Sequence, residues 1–167
     1  MIFAVAADIH DRLDHWRKLW PRLLTGAPEA LILCGDLSRP ETLAGLRPQG
    51  LPWAFCLGNC DSACGDALKT EGLALGATVW GDLGRWSLPE GGSIAFTHFP
   101  AIARRAAQEG QYRAVFYGHS HRAAEETLSG PHGSTLLANP GDVEGRYGRI
   151  SAVLWDSQSG ALRWVDA

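Results

Sequence analysis

Five short apolar runs in this chain each end in polar residues of a type that binds metal ions. The runs cover residues 2–7, 30–34, 53–57, 93–97 and 114–117. The polar residues that follow them are Asp8 with His10, Asp36, Asn59, His98, and His119 with His121. Uninterrupted apolar runs of this length are typical of strands that are buried on both faces. The pattern predicts buried strands whose polar ends together form one site.

Helix-like segments separate the runs in the first half of the chain. Residues 12–24 carry apolar side chains at helical spacing, although Pro21 predicts a kink or a break into two short helices. Further helices are predicted over residues 40–46 and 61–71. Strands that alternate with helices are typical of a mostly parallel sheet that is covered on both faces.

The second half of the chain is richer in predicted strands. Strands are expected over residues 78–80, 86–88, 123–128, 135–138, 150–155 and 161–165, and the one clear helix covers residues 100–109. Turn signals such as Glu90-Gly91-Gly92 and Ser129-Gly130-Pro131 indicate hairpins. We therefore expect a second, more antiparallel sheet stacked against the first, within a single domain over residues 1–167.

The composition is that of an ordinary globular chain. The 167 residues are 46% apolar and carry a net charge of −3, so no basic surface indicates nucleic-acid binding. No run approaches the roughly 20 apolar residues of a membrane helix, and no basic segment precedes the first strand as in a signal peptide. Cys34 and Cys56 lie within apolar runs, which is typical of buried free thiols, so we expect reduced cysteines and a cytoplasmic protein.

The residues at the strand ends suit a metal ion of the harder type. Ligands of open α/β sheets bind at the carboxyl ends of the strands, where all five ends would meet. Carboxylate, imidazole and amide oxygen ligands suit manganese, iron or zinc. Asp8 and His10 are two residues apart at a strand end, so both can face one ion. A glycine precedes the ligand at positions 35, 58 and 118, where the missing Cβ permits a sharp turn.

Each of these residues, taken alone, has a plainer interpretation. A single Asp after a strand is usually a turn or helix-cap residue, and Asn59 alone is typical of a turn. His98 alone would be a hydrogen-bonded histidine. However, four of the six histidines lie at strand ends. The nearby imidazoles of His119 and His121 would repel each other if both were charged, and metal binding gives them a neutral role.

The ordered set of motifs resembles the calcineurin-like metallophosphoesterase superfamily. The matching segments are Asp8-Ile9-His10, Gly35-Asp36, Gly58-Asn59-Cys60-Asp61, Thr97-His98 and Gly118-His119-Ser120-His121, against DxH, GD, GNH(D/E), H and GHxH. Asn139-Pro140-Gly141-Asp142 is similar to the NPGS segment of the small YfcE-like phosphodiesterase branch. These motifs span most of the chain. The resemblance implies an α/β fold, a four-layer α/β/β/α sandwich of two mixed sheets flanked by helices.

The resemblance also implies a two-metal hydrolase of small phosphodiesters. One divalent ion would be held by Asp8, His10, Asp36 and His121, and the other by Asp36, Asn59, His98 and His119, with Asp36 bridging the two. Manganese is the expected metal, with iron, zinc or nickel as alternatives. A metal-bound hydroxide would attack phosphorus. The catalytic residues would be Asp36, Asn59, Asp61 and His98. Asp61 would orient the site. The plainer interpretation of Asp61 is that it caps the next helix.

Three residues depart from the superfamily pattern. Cys60 stands where many members have a His that helps to protonate the leaving group, although the YfcE-like branch also has Cys there. Asp11 replaces a Gly, and Asp142 replaces Ser in NPGS, where its charge would disfavour highly anionic substrates. Arg122 directly follows a ligand, and we expect it to bind substrate phosphate together with Asn59.

Two alternatives to a phosphodiesterase stay open. Within the superfamily, the chain would be a phosphomonoesterase or a nucleotide pyrophosphatase. Outside enzymes, it would be a protein-binding scaffold, as is the retromer subunit of this fold. A scaffold is free to lose metal ligands, whereas this chain keeps the whole set. We expect a small phosphoester as partner, nucleotide derivatives included, and neither nucleic acid nor membrane; a homo-oligomer stays open.

Overall fold

Two β-sheets pack face to face in the structure, a computed structural model that describes residues 1–167. The strands are β1 (Ile2–Ala6), β2 (Ala30–Cys34), β3 (Trp53–Cys56), β4 (Thr78–Val79), β5 (Leu83–Ser87), β6 (Ser93–Thr97), β7 (Ala114–Tyr117), β8 (Ala124–Gly130), β9 (Gly133–Asn139), β10 (Ser151–Asp156) and β11 (Leu162–Asp166). The helices are α1 (Leu13–Leu24), α2 (Pro40–Leu46), α3 (Gly65–Ala74) and α4 (Pro100–Glu109).

Both sheets are mixed, and each has a parallel centre. The first sheet has the order β11-β10-β1-β2-β3-β4, in which β1 to β4 are parallel and β10 and β11 are antiparallel to their neighbours. The second has the order β5-β6-β7-β9-β8, with β6, β7 and β9 parallel and an antiparallel strand at each edge. The loops after β1 to β3 contact those after β6 and β7, so the carboxyl ends of both centres share one edge of the molecule.

Alternation along the parallel strands explains why the apolar runs are continuous. In β1, Ala4 and Ala6 pack against the helices α1 to α3. Phe3 and Val5 point the other way and pack against the second sheet, because successive side chains leave opposite faces of a strand. Helix α4 covers the outer face of the second sheet through residues such as Ala103. The layers are helix, sheet, sheet and helix, which confirms the predicted α/β/β/α sandwich.

Small and aromatic side chains share the space between the sheets. Cys34 and Cys56 are fully buried there as free thiols, in agreement with their apolar surroundings in the sequence. Phe96, Phe116 and Trp155 supply the volume, and the rings of Phe116 and Trp155 meet edge to face with centroids 5.7 Å apart. This layer fixes the separation of the sheets and so the distance between their carboxyl ends.

The assignment of strands to sheets differs from the prediction. We expected the strands of the second half to form one separate, more antiparallel sheet, and this was wrong in two respects. Strands β10 and β11 belong to the first sheet, because β10 pairs with the edge of β1 that β2 leaves open. Strand β4 also belongs to it, through its parallel pairing with β3. The second sheet has parallel neighbours at its centre, because α4 connects β6 to β7 in a parallel crossover.

Two helices also differ from the prediction. Helix α1 does not break at Pro21, because its buried stripe, which includes Leu19 and Leu23, continues past the proline onto the first sheet. The third helix begins at Gly65 and not at Asp61. The Asp61 side chain instead accepts backbone N–H groups of neighbouring loops, and residues 59–61 form a short 3₁₀ turn.

The inter-sheet layer generates a stability prediction. Replacing Phe116→Ala removes a fully buried ring from this layer and should lower the free energy of unfolding by about 3–5 kcal/mol. Urea denaturation followed by tryptophan fluorescence measures the change. The control Leu73→Ala alters an exposed residue of α3 and should stay within about 0.5 kcal/mol of the wild type. Equal effects of the two substitutions would contradict the packing described above.

Candidate metal centre

Seven residues predicted as metal ligands come together at the shared edge of the two sheets. Asp8 and His10 follow β1, Asp36 follows β2, Asn59 follows β3, His98 follows β6, and His119 and His121 follow β7. A backbone contact joins the two sheets here, because the N–H of His119 donates to both carboxylate oxygens of Asp8 at 3.1 and 3.0 Å.

Four of the seven form a tight cluster that we name the His98 group, which consists of Asp36, Asn59, His98 and His119. His98 Nε2 lies 2.9 Å from Asn59 Oδ1, 3.1 Å from His119 Nδ1 and 3.4 Å from Asp36 Oδ2. His119 Nδ1 lies 2.8 Å from Asn59 Oδ1. Separations of this size are those between neighbouring ligands on one ion, since each ligand atom lies about 2.0–2.2 Å from the metal.

The protonation of His98 supports a cation in this group. His98 Nδ1 lies 3.0 Å from the carbonyl oxygen of Cys34 and is placed to donate to it. A neutral His98 therefore directs an unprotonated Nε2 at the oxygen atoms of Asn59 and Asp36. Lone pairs that face one another repel, and a divalent cation between them would turn that repulsion into coordination. The His98 group fits a metal ion on this evidence.

The remaining ligands form a looser cluster, the His10 group, which consists of Asp8, His10, Asp36 and His121. His10 Nε2 lies 3.5 Å from Asp36 Oδ2, and His121 Nε2 lies 3.7 Å from Asp8 Oδ1. The His10 and His121 rings stack with centroids 5.2 Å apart. His10 Nε2 is buried and has no hydrogen-bond partner. A buried nitrogen without a partner is costly unless a further group binds it, so this group also fits a metal ion.

Asp36 belongs to both groups. Its Oδ2 lies 3.4 Å from His98 Nε2 and 3.5 Å from His10 Nε2. Its Oδ1 accepts the N–H of Cys60 at 2.9 Å, which fixes the plane of the carboxylate. The side chain is almost completely buried. Asp36 is therefore placed where a bridging ligand between two ions would lie.

The backbone conformation of the ligand residues was not predicted from the sequence. Five of the seven have positive φ, namely Asp8 at 52°, His10 at 45°, Asp36 at 52°, His119 at 71° and His121 at 57°. The left-handed region is unfavourable for residues with a Cβ, and residues held there are often part of functional sites. The surrounding contacts force the ligands into this conformation and aim their side chains inward.

The glycines before the ligands act mainly by giving space. Gly35 does have φ of 80°, as a sharp turn requires, whereas Gly58 has φ of −107°. A Cβ at Gly58 would lie 2.1 Å from Asp36 Oδ1, and a Cβ at Gly118 would lie 2.8 Å from the Cys34 carbonyl oxygen. Any side chain at these two positions would push the loops apart.

Asp61 lies beneath the loops and holds them in place. Its Oδ1 accepts the backbone N–H groups of Leu37 and Ser38, each at 2.8 Å, and its Oδ2 accepts that of Gly58 at 2.7 Å. The carboxylate is fully buried, and this burial raises its pKa, although the three N–H groups act in the opposite direction. Asp61 thereby connects the loop of Asp36 to the loop of Asn59.

Two acidic residues of the loop after β9 complete the site. Asp142 Oδ2 lies 2.9 Å from His121 Nδ1 and accepts the N–H of Arg146 at 2.8 Å. Glu144 Oε2 lies 3.3 Å from His121 Nδ1 and 3.9 Å from His10 Nε2, and it is buried without a hydrogen-bond partner. From the sequence, Asp142 was considered only for its effect on substrate charge, and Glu144 was overlooked. Their spacing, two residues apart after a strand as in Asp8 and His10, was the available signal.

Burial controls the ionisation of the central residues. Burial, together with the neighbouring carboxylates, raises the pKa of Asp8 to about 8, although the His119 N–H acts in the opposite direction. Burial lowers the pKa of His98, so its ring stays neutral at pH 7, as a metal ligand must. Partial burial of its thiol, together with the neighbouring Asp36 carboxylate, raises the pKa of Cys60 to about 11.

The arginines near the site differ in their partners. Arg104 pairs with Glu126 on the surface, away from the metal centre. Arg122 is exposed and lies over the Tyr147 ring, with Cζ 5.4 Å from the ring centroid. The structure therefore leaves Arg122 beside His121 with its charge unpaired by any carboxylate.

Comparison with known proteins gives one family and several similar structures. The profile of the calcineurin-like phosphoesterase superfamily domain matches residues 1–160. No curated protein sequence matches the chain significantly. None of the helices in the structure has the length and apolar character to cross a membrane.

Three of the similar solved structures match over 94–100% of their own length. An archaeal phosphodiesterase is 22% identical with a TM-score of 0.86, and the alignment covers 100% of both chains. The phosphoesterase YfcE from E. coli is 18% identical with a TM-score of 0.68, covering 99% of this chain and 98% of its own. Vps29 from Chaetomium thermophilum is 16% identical with a TM-score of 0.65, covering 100% of this chain and 94% of its own. At these identities the likeness concerns the fold.

The contact between His121 and Asp142 generates a prediction about metal affinity. Asp142→Asn replaces the carboxylate that holds His121 Nδ1 and should weaken manganese binding by about 10–100-fold. Isothermal titration of chelator-treated protein measures the affinity directly. Asp66→Asn, which alters a fully exposed carboxylate on α3, serves as the control and should bind like the wild type. An unaltered affinity in Asp142→Asn would mean that this contact does not support a ligand.

Proposed function

Because this chain belongs to the calcineurin-like phosphoesterase superfamily, we propose that it hydrolyses small organic phosphodiesters with two bound divalent metal ions. The observation that carries the proposal is the shared carboxylate of Asp36. It lies 3.4 and 3.5 Å from histidine nitrogens of two separate donor groups. One carboxylate between two sets of ligands can bridge a pair of neighbouring ions, and such pairs catalyse phosphoryl transfer.

Seven residues of the chain are proposed as metal ligands. Asp8, His10, Asp36 and His121 would hold one ion, and Asp36, Asn59, His98 and His119 would hold the other. Manganese, iron, zinc or nickel suits this mixture of carboxylate, imidazole and amide oxygen donors, and manganese is our first choice. When bound, the two ions supply positive charge to the phosphoryl oxygens and acidity to a water molecule.

The residues of the chain would position the substrate around this charge. Asn59 turns Oδ1 toward the histidines and leaves Nδ2 beside Cys60, at 3.4 Å from its sulfur, so the amide can donate to a phosphoryl oxygen. Arg122 adds an unpaired guanidinium next to the His10 group. Asp61 would act by holding the loops of Asp36 and Asn59 and not by touching substrate.

The proton donors near the centre favour substrates with good leaving groups. Cys60 occupies the position of a general acid, but its thiol has a pKa of about 11 and gives up a proton poorly at pH 7. The leaving oxygen would therefore depart with little protonation. Aryloxide and phosphate leaving groups depart readily under these conditions, whereas simple alkoxides do not.

Hydrolysis assays test the proposed function. With manganese present, the protein should hydrolyse bis(p-nitrophenyl) phosphate faster than p-nitrophenyl phosphate or inorganic pyrophosphate. Asp36→Asn and His98→Ala should each lower kcat by at least about 100-fold, because the first removes the negative charge and one oxygen of the bridging carboxylate and the second removes an imidazole ligand. Circular dichroism of both variants should match that of the wild type. Arg105→Gln, on the exposed side of α4, is the matched control with wild-type turnover expected.

Three results would refute parts of this proposal. Wild-type turnover in Asp36→Asn or His98→Ala would refute the two-metal assignment. A preference for the monoester or for pyrophosphate would favour a phosphomonoesterase or pyrophosphatase of the same superfamily. A protein that binds two ions and hydrolyses none of the three substrates would favour a non-catalytic role.

Cys60 generates a separate prediction. Cys60→Ala should lower kcat for bis(p-nitrophenyl) phosphate by less than about tenfold, because the p-nitrophenolate leaving group needs little help from a proton donor. The measurement compares kcat of Cys60→Ala and wild type at saturating manganese. A loss as large as that in Asp36→Asn would instead make the thiol a principal participant.

A further inference from the structure

A cavity of about 380 Å³ opens directly beside the metal centre. It shares His121 with the His10 group, so a ligand in the cavity would lie next to the proposed metals. The residues that line the rest of its wall include Arg122, Asp142, Tyr147, Arg149 and Ser151. The volume lies in the range of about 300–1,000 Å³ that small-molecule sites occupy. A substrate much smaller than a nucleoside would leave most of this space empty.

Most of the charged groups in the wall already have partners. Asp142 Oδ2 is engaged by His121 and by the N–H of Arg146. Arg149 donates to both oxygens of Asp166, at 2.9 and 3.2 Å, and so has a carboxylate partner. Arg122 is the exception, because its contact in the wall is the Tyr147 ring and not a carboxylate. The cavity therefore offers one guanidinium that is free to bind an anion.

Tyr147 gives the cavity an aromatic surface. Tyr147 is 62% exposed, so much of its ring is in contact with solvent. The Arg122 guanidinium lies over the ring, with Cζ 5.4 Å from the centroid. This contact orders the arginine and leaves the remaining ring surface open to solvent. An exposed ring beside a pre-positioned guanidinium is suited to stacking on a planar group that carries an anion nearby.

We infer that this cavity binds the non-leaving arm of the phosphodiester, and that this arm is a nucleotide-like group with a planar ring and a second anionic group. Tyr147 would stack on the ring, and Arg122 would pair with the second anion. The scissile phosphate would remain at the metal centre, on the other side of His121. This inference rests on the proposed phosphodiesterase function and names the substrate class for it.

Three aryl diesters that release p-nitrophenolate test the two contacts separately. The first is methyl p-nitrophenyl phosphate, the second is thymidine 5′-(p-nitrophenyl phosphate), and the third is the same thymidine ester with a 3′-phosphate. All three share the reacting group, so ratios of kcat/KM report the arm alone. In the wild type with manganese, the thymidine arm should raise kcat/KM by about tenfold, as a stacked ring would. The 3′-phosphate should raise it by about a further tenfold, as a charged hydrogen bond would.

Two variants separate the roles of the ring and the guanidinium. Tyr147→Leu should remove most of the preference for thymidine over methyl. Arg122→Gln should remove the additional preference for the 3′-phosphate while keeping part of that for thymidine. Arg105→Gln, which alters an arginine beside a different surface pocket, should keep both ratios of the wild type. A KM effect larger than the kcat effect is expected in both cavity variants, because the arm does not react.

The outcomes distinguish failure of the inference from failure of the proposed function. Hydrolysis of all three esters at similar kcat/KM would leave the phosphodiesterase proposal in place and overturn the inference. Hydrolysis of none of them would overturn the proposed function. Wild-type ratios in Tyr147→Leu and Arg122→Gln would overturn the assignment of the arm to this cavity. Loss of both ratios in the respective variants would support it.

Discussion

The burial of the Asp36 carboxylate constrains the whole molecule. A buried carboxylate is strongly unfavourable unless hydrogen bonds and positive charge compensate it. Here one N–H, that of Cys60, donates to the carboxylate, and the nitrogens of His10 and His98 lie 3.5 and 3.4 Å away, where they can share a bound cation with it. The missing side chain at Gly58 lets the next loop approach the carboxylate closely. The separation of the two sheets, set by the aromatic layer between them, thus decides whether one carboxylate can serve two donor groups.

The left-handed conformations of the ligand residues depend on the same packing. Each strained residue costs of order 1–3 kcal/mol, and five ligands are held in this region. Rigid neighbours must hold them there, and the fixed points are visible: Asp61 ties the Asp36 and Asn59 loops together, and the His119 N–H is bound to Asp8. The donor atoms are therefore pre-positioned by the fold. A site of this kind pays little reorganisation when a cation or a substrate arrives.

The sequence predicted the ends of five strands well, because a ligand after a buried apolar run is a local pattern. The two-residue spacing of Asp8 and His10 likewise reflects strand geometry that operates within a few residues. Features that depend on distant pairing were missed. The pairing of β10 with β1 joins segments more than 100 residues apart. The positive φ of the ligands and the contact of Asp142 with His121 arise in loops that have no periodic sequence pattern. Glu144 was overlooked because its one local signal is the two-residue spacing from Asp142, while the direction of its side chain depends on how its loop packs against His10 and His121.

Charge balance at the centre connects the acidic loop to the choice of substrate. Four carboxylates face the histidine cluster, those of Asp8, Asp36, Asp142 and Glu144. Fully ionised, they would match the charge of two divalent cations, so a loaded centre would carry little net positive charge from these groups. Such a centre attracts a singly charged diester with less repulsion than a doubly charged monoester would meet. A further anionic group on the substrate then needs a positive charge that no carboxylate already pairs with. Arg122 lies beside His121, has no carboxylate partner and is placed to supply this charge.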